Sequence, residues 1–134
     1  MNIRFGFAVN NNKEFEDNHF GDAEKFLIYE LKNGKLNPVS EFVNSAKFLD
    51  EEVGHGSQKK AKAIIDLMKQ QQVQVMVAKQ FGKNIGRIVA HFVPVVIKVK
   101  AVEDAIKIVS PHLEDICQEL KTATDGTFKP FILK

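Results

Sequence analysis

Apolar and polar positions alternate at the start of the chain with the period of a β-strand. The predicted first strand covers residues 3–9, and its core-facing positions are Ile3, Phe5, Phe7 and Val9. Its second face carries small residues, which permit close packing beneath a helix and place the strand centrally in a sheet. Two further strands are predicted at residues 26–31 and 36–43. The Asn33-Gly34 pair between them accommodates the positive φ values of a tight hairpin, so we expect these two strands to pair antiparallel.

The second half of the chain alternates helical and extended patterns. A helix capped by Ser57 is predicted from apolar residues at i, i+3, i+4 and i+7, namely Ala61, Ile64, Ile65 and Met68. A β-branched strand at residues 73–78 leads to a short helix that ends near His91, and a fifth strand at residues 93–99 follows. Because Pro94 cannot donate to a ladder, either this strand lies at a sheet edge or Pro94 stands at its start.

One apolar stripe with helical spacing continues from Val102 to Leu120 and crosses Ser110-Pro111. Either Ser110 caps a second helix with Pro111 at its first position, or the proline kinks a single helix. The chain then ends in the apolar segment Phe128–Leu133, which we expect to dock on its own domain or on a partner. The order β-β-β-α-β-α-β-α predicts one α/β domain at residues 1–120, a mixed sheet covered by helices, followed by a C-terminal tail at residues 121–134.

Composition narrows the classes of function. The chain has 134 residues, enough for one domain, and its formal charge of +2 comes with scattered basic residues, which gives no support to nucleic acid binding. With Cys117 as its single cysteine, the chain cannot form an intrachain disulfide or a four-thiolate iron-sulfur site. Cys117 lies beside the apolar stripe, so we expect its side chain to pack as a small hydrophobic group. No signal-peptide pattern or membrane-spanning apolar run occurs, so we expect a cytoplasmic protein that does not bind membranes.

A histidine on a glycine turn precedes the second strand, in the segment His19-Phe20-Gly21. In this position the segment resembles the HFG element of the dinitrogenase iron-molybdenum cofactor biosynthesis family, which includes nitrogenase accessory factors. The similarity covers about residues 2–109 and includes Phe26-Leu27-Ile28-Tyr29, Gly54-His55-Gly56 and Val73–Ala78. It implies a three-layer ribonuclease H-like motif: a five-stranded mixed sheet of order 3-2-1-4-5, with strand 2 antiparallel to the others and helices on both faces.

The resemblance also implies a function, because members of the family carry or bind metal-sulfur cofactor precursors. Such cofactors are anionic and already hold most of their ligands, so a carrier needs one or two donor atoms and a positive, partly enclosed surface. The neutral imidazole of His19 is the predicted metal ligand. The other cofactor-binding candidates lie in the same turn, before a helix N-terminus that favours anions, or near the next helix start: Phe20, Gly21, His55, Gly56 and Lys83.

The expected role is non-catalytic, transient binding of an iron-sulfur or iron-molybdenum cofactor precursor. The partners implied are the metal-sulfur cofactor and the proteins that deliver or receive it, and the sequence leaves a homo-oligomer open.

Two alternatives stay open at this point. A protein-interaction module of the same fold would bind no cofactor and would use its C-terminal tail or a sheet edge to contact a partner. A metal-dependent nuclease of ribonuclease H-like fold would need an acidic residue on the first strand, and residues 3–9 contain none. Three acids do follow in the next loop, namely Asp17, Asp22 and Glu24.

Overall fold

The first strand forms the centre of a six-stranded sheet in the computed structural model, which describes residues 3–47, 58–82, 85–123 and 126–133. The strands are β1 (Ile3–Val9), β2 (Lys25–Lys32), β3 (Lys35–Val43), β4 (Val73–Ala78), β5 (Val93–Val96) and β6 (Phe131–Ile132). Their order in the sheet is β3-β2-β1-β4-β5-β6. β1 pairs antiparallel with β2 and parallel with β4, so the sheet is mixed and the predicted central position of β1 is confirmed.

Helices connect the later strands. They are α1 (Gln58–Gln70), α2 (Ile85–Ile88), α3 (Val102–Val109) and α4 (Leu113–Thr122). Two 3₁₀ turns are also present, at Phe20–Asp22 and Ser110–His112. None of the helices in the described part of the chain is long and apolar enough to cross a membrane.

Two hydrophobic cores lie on opposite faces of the sheet, because successive side chains of a strand point to opposite sides. Phe5 and Phe7 pack toward α3 and α4, whereas Ala8 packs with residues of α1 and α2. Small side chains on the second face of β1 allow α1 to pack closely on the sheet. An ideal Cβ added at Gly6 would lie 3.1 Å from the Met68 sulfur of α1. The sheet is therefore covered by helices on both faces, as predicted.

The β2–β3 hairpin forms as the sequence indicates. Asn33 and Gly34 both adopt positive φ, at 55° and 76°, which suits a two-residue turn matched to the twist of the flanking strands. β2 and β3 pair antiparallel from Lys32↔Lys35 to Lys25↔Val43. This hairpin brings the segment after β3 alongside the loop that carries His19.

The prediction of five strands is wrong, because the C-terminal tail adds a sixth. Residues Phe131 and Ile132 pair parallel with β5, and the buried Leu133 donates its N–H to the Val96 carbonyl at 2.8 Å. The tail thus docks on its own domain. β5 is consequently not an edge strand; Pro94 lies near its start, before the pairing with β6 begins at Val95↔Phe131.

The Ser110-Pro111 segment follows neither simple alternative. A 3₁₀ turn joins α3 to α4, and the Ser110 hydroxyl donates to the Ile106 carbonyl of α3 at 2.7 Å instead of capping the next helix. Pro111 is tolerated because it is the second residue of this turn, where its missing N–H costs little. Two predicted elements are also shorter than expected: α2 ends at Ile88 and β5 at Val96. Ser57, the predicted cap of α1, lies outside the described residues.

Candidate functional site

The His19 turn lies at the carboxyl ends of the two central parallel strands. His19 immediately precedes the 3₁₀ turn Phe20–Asp22. The Phe20 N–H donates to the carbonyl of Gln80, two residues beyond the end of β4, at 2.9 Å. The loop after β1 and the loop after β4 are therefore joined here, on the side where open α/β sheets place ligands. This location agrees with the one expected from the sequence.

The imidazole of His19 rests on the backbone of Gly82. Gly82 has a φ of +66°, and an ideal Cβ built there would lie 2.7 Å from His19 Nδ1 and Cε1 and 2.9 Å from Nε2. No real side chain tolerates such an approach, so Gly82 is required for the observed position of the ring. His19 is exposed, and no hydrogen bond among the described residues uses its ring nitrogens. The ring is thus positioned by packing while its nitrogens stay available to a ligand.

Phe20 anchors the turn in the core beneath α1 and α2. Its side chain is only 2% exposed and packs on Phe81, with the ring centroids 5.3 Å apart. The same core contains Ile64 of α1 and Ala23, which follows the turn. Phe20 therefore serves the site indirectly, by fixing its neighbour His19, and has no exposed surface with which to contact a cofactor.

Asn44 ties the turn to the end of the hairpin. Its side chain is buried, and Nδ2 donates to the carbonyls of Gly21 at 3.0 Å and Ala23 at 2.9 Å. Its Oδ1 accepts the Ala46 N–H at 3.0 Å, so both ends of the amide are used. One buried amide thus serves the carbonyl of Gly21, within the turn, and that of Ala23, directly after it.

We expect Asn44→Asp to lower the free energy of unfolding by about 2–3 kcal/mol, because a carboxylate cannot donate to the two buried carbonyls. Chemical denaturation of the variant and of the exposed control Asn37→Asp checks this expectation. A loss in Asn44→Asp no larger than that of the control would show that the amide does not hold the turn.

The three acids around the turn each pair with a lysine from another element. Asp17 accepts from Lys79 at 2.6 Å, Asp22 accepts from Lys60 at 2.6 Å, and the remaining pair is Glu24 with Lys47. The hydrogen bond from Lys79 lowers the pKa of Asp17, and the bond to Glu24 raises the pKa of Lys47. Within the described residues, no three His, Cys, Asp or Glu side chains converge on a point where they could hold a metal ion. These acids therefore connect the His19 loop to α1, to the loop after β4 and to the segment after β3 through ion pairs.

A small cavity of about 90 Å³ opens beside His19, between the turn and the first residues of α1. Lys60 lines it, with its methylene stem over Gly21: an ideal Cβ at Gly21 would lie 3.2 Å from Lys60 Cε. Although charged, Lys60 is only 8% exposed. Its burial is compensated by the ion pair with Asp22. The site thus combines an exposed imidazole with a largely buried ammonium group.

The structure describes three of the six predicted site residues. His19, Phe20 and Gly21 come together at the turn, whereas His55, Gly56 and Lys83 lie outside the described residues. Cys117 is half-buried on α4, which packs on the opposite face of the sheet from the turn, and burial raises the pKa of its thiol.

Sequence reasoning missed three residues of the site: Asn44, Lys60 and Gly82. A signal for Lys60 was present, since it falls in register with Ile64 and Met68 on the buried stripe of α1. A lysine in an apolar stripe indicates a paired or functional charge. The roles of Asn44 and Gly82 depend on contacts between segments distant in sequence, so no local pattern reveals them.

Comparison with known proteins identifies the fold and the family of the chain. The crystal structure of PH0822 superimposes with a TM-score of 0.56 at 15% sequence identity, covering 81% of this chain and 91% of that one. This similarity shows a shared fold. No protein of curated function matches the chain in sequence. The family model described as dinitrogenase iron-molybdenum cofactor matches residues 1–111. This range includes the complete His19 turn and all the strands from β1 to β5. The chain belongs to the dinitrogenase iron-molybdenum cofactor family.

Proposed function

We propose that this protein binds and carries an anionic iron-sulfur cofactor, or a precursor of the iron-molybdenum cofactor, with the imidazole of His19 as its ligand to metal. The metal-sulfur cofactor is cargo, received from one protein and passed to another without chemical conversion. The observation that carries the proposal is the state of His19. Its ring is exposed, held against Gly82, and free of hydrogen bonds to the described residues.

A fixed, exposed imidazole suits reversible transfer. A ligand that is already oriented loses little conformational entropy on binding, which favours capture by a single donor atom. The same exposure leaves the cargo accessible to an acceptor. The adjacent cavity of about 90 Å³ is far smaller than a typical ligand pocket, so the cargo would rest on the surface over His19.

Lys60 supplies the charge that an anionic cargo requires. Lys60 lines the cavity beside His19 and is only 8% exposed, so its electrostatic interactions are screened less than in open water. Asp22 balances this charge in the absence of cargo. We infer that Lys60 and His19 act together, the first through charge and the second through coordination.

The arrangement of the acids supports a carrier over a nuclease. Two-metal nucleases present unpaired carboxylates to their metal ions, whereas Asp17, Asp22 and Glu24 are each engaged by a lysine. The sheet order of β3 to β5, with β2 antiparallel to its neighbours, supports the ribonuclease H-like assignment of the family as the scaffold of this carrier. The alternative of an interaction module that contacts a partner through its C-terminal tail is less well supported, because the tail pairs with β5 of its own chain.

The direct test is retention of iron after anaerobic loading. We expect the wild-type protein to retain stoichiometric iron through gel filtration when incubated with an iron-sulfur cofactor precursor, and His19→Ala to lose it. His91→Ala is the matched control, because His91 is also exposed but lies beyond α2, outside the residues that line the His19 cavity. Equal retention by all three proteins would contradict His19 as the ligand.

A further inference from the structure

A second concave surface lies between α1 and α2, on the same side of the sheet as the His19 turn. It encloses about 620 Å³ and is lined by Lys62, Ile65, Asp66, Lys69, Arg87, Ala90 and His91. Ile65 is the one buried side chain among them and, with Ala90, provides apolar surface; the others are exposed. We call this surface the α1–α2 groove.

The groove carries an excess of positive charge that the described residues do not neutralise. Lys62, Lys69 and Arg87 face a single acid, Asp66, and none of these four makes an ion pair within the described ranges. Lys69 and Arg87 lie in the last turns of their helices, where a cation is favoured by the helix dipole. Lys62 lies inside α1, so the dipole does not account for it.

Among the described residues, charge is also distributed unevenly between the two helical faces of the sheet. On the opposite face, the exposed acids of α3 and α4 outnumber the exposed lysines: Glu103, Asp104, Glu114 and Asp115 against Lys107 and Lys121. Although the formal net charge of the chain is only +2, the described α1–α2 face is basic and the described α3–α4 face is acidic. Such polarity gives specificity and orientation to protein association more than it adds affinity.

We propose that the α1–α2 groove docks an acidic, amphipathic segment of a partner protein. Lys62 and Lys69 are seven residues apart on α1, which corresponds to about 10 Å along the helix axis. A partner helix with carboxylates at i and i+7 would match this spacing, and apolar side chains between them would cover Ile65 and Ala90. This proposal does not depend on cofactor binding at His19.

Other occupants fit less well. A small anion would gain little burial, because six of the seven lining residues are exposed, whereas small-molecule sites enclose most of their ligand. Single-stranded nucleic acid is bound mainly where a positive groove also offers aromatic stacking platforms, and none of the described lining residues is Phe or Tyr. A second copy could present its acidic α3–α4 face, but such a head-to-tail contact is heterologous and would generate rings or open chains of molecules instead of a two-fold dimer.

The test uses the full chain and a fluorescent helical peptide with leucines between glutamates at i and i+7. A matched peptide carries glutamine in place of glutamate. The groove variant is Lys62→Glu/Lys69→Glu/Arg87→Glu. The control variant, Lys98→Glu/Lys107→Glu/Lys121→Glu, makes the same change in net charge at exposed lysines outside the groove. Thermal melting verifies that both variants are folded, and fluorescence anisotropy measures binding at low salt.

We expect the wild type to bind the glutamate peptide, the groove variant to bind it about tenfold more weakly or worse, and the control variant to bind it within about twofold of the wild type. The glutamine peptide should bind weakly to all three. Three results would overturn the proposal: no binding by the wild type, equal loss in both variants, or binding of a single-stranded oligonucleotide as tight as that of the peptide. Self-association in sedimentation velocity that only the groove variant loses would instead assign the groove to a second copy.

Discussion

Replacing Phe20 by alanine is expected to lower the free energy of unfolding by about 3–5 kcal/mol and to abolish iron retention at the same time. Phe20 is 2% exposed and packs on Phe81 between the turn and the two helices above it. Its loss leaves a cavity directly beneath the 3₁₀ turn, and the backbone that positions His19 loses its main anchor. Chemical denaturation and iron retention after anaerobic loading give the two readouts.

Phe92→Ala separates this local effect from general destabilisation. Phe92 is 1% exposed and belongs to the same core, but it precedes β5 and does not contact the loop of His19 through any described ring pair. We expect a similar loss of stability and, under conditions where the variant is still folded, iron retention equal to that of the wild type. If Phe20→Ala retained iron as well as Phe92→Ala, the turn would not need its anchor.

Gly82→Ala is expected to displace the His19 ring and to weaken retention of the cofactor by about tenfold or more. The left-handed φ of +66° costs an alanine about 1–2 kcal/mol. In addition, the new methyl group would lie within 2.7 Å of the imidazole, so the ring must move. Histidine ring resonances in NMR spectra report the displacement directly, and iron retention reports its consequence.

Gly34→Ala is the matched control for backbone strain. Gly34 also has a positive φ, at +76°, but an added Cβ there would meet nothing within 4 Å. It should therefore lose stability to a similar extent while His19 and iron retention remain unchanged. Unaltered His19 resonances in Gly82→Ala would contradict the contact between the ring and this glycine.

The fold was largely predictable because its signals are local. Residues close in sequence produce each of these signals: the alternation of apolar and small or polar residues in β1, the Asn33-Gly34 turn, and the apolar stripe of α1. The sixth strand escaped prediction for the opposite reason. Phe131–Ile132 is only two residues long and acquires its structure from pairing with β5, which no local pattern encodes.

The candidate site was predictable only in its centre. A histidine followed by phenylalanine and glycine identifies the turn, but its supports come from the end of β3, the start of α1 and the loop after β4. Asn44, Lys60 and Gly82 occupy these three places, each more than twenty residues from His19 in sequence. Each of the three acts through a tertiary contact. The buried amide of Asn44, the paired charge of Lys60 and the missing Cβ of Gly82 support the turn only when the fold brings these segments together.

Pulsed electron paramagnetic resonance on the loaded protein tests the central claim most directly, because it detects histidine nitrogen bound to a paramagnetic metal-sulfur cofactor. With isotopically labelled histidine, the wild type should show one coupled nitrogen, and the coupling should vanish in His19→Gln while persisting in His91→Gln and His112→Gln. A loaded wild type without this coupling, or a coupling that survives in His19→Gln, would contradict coordination of the cargo by His19.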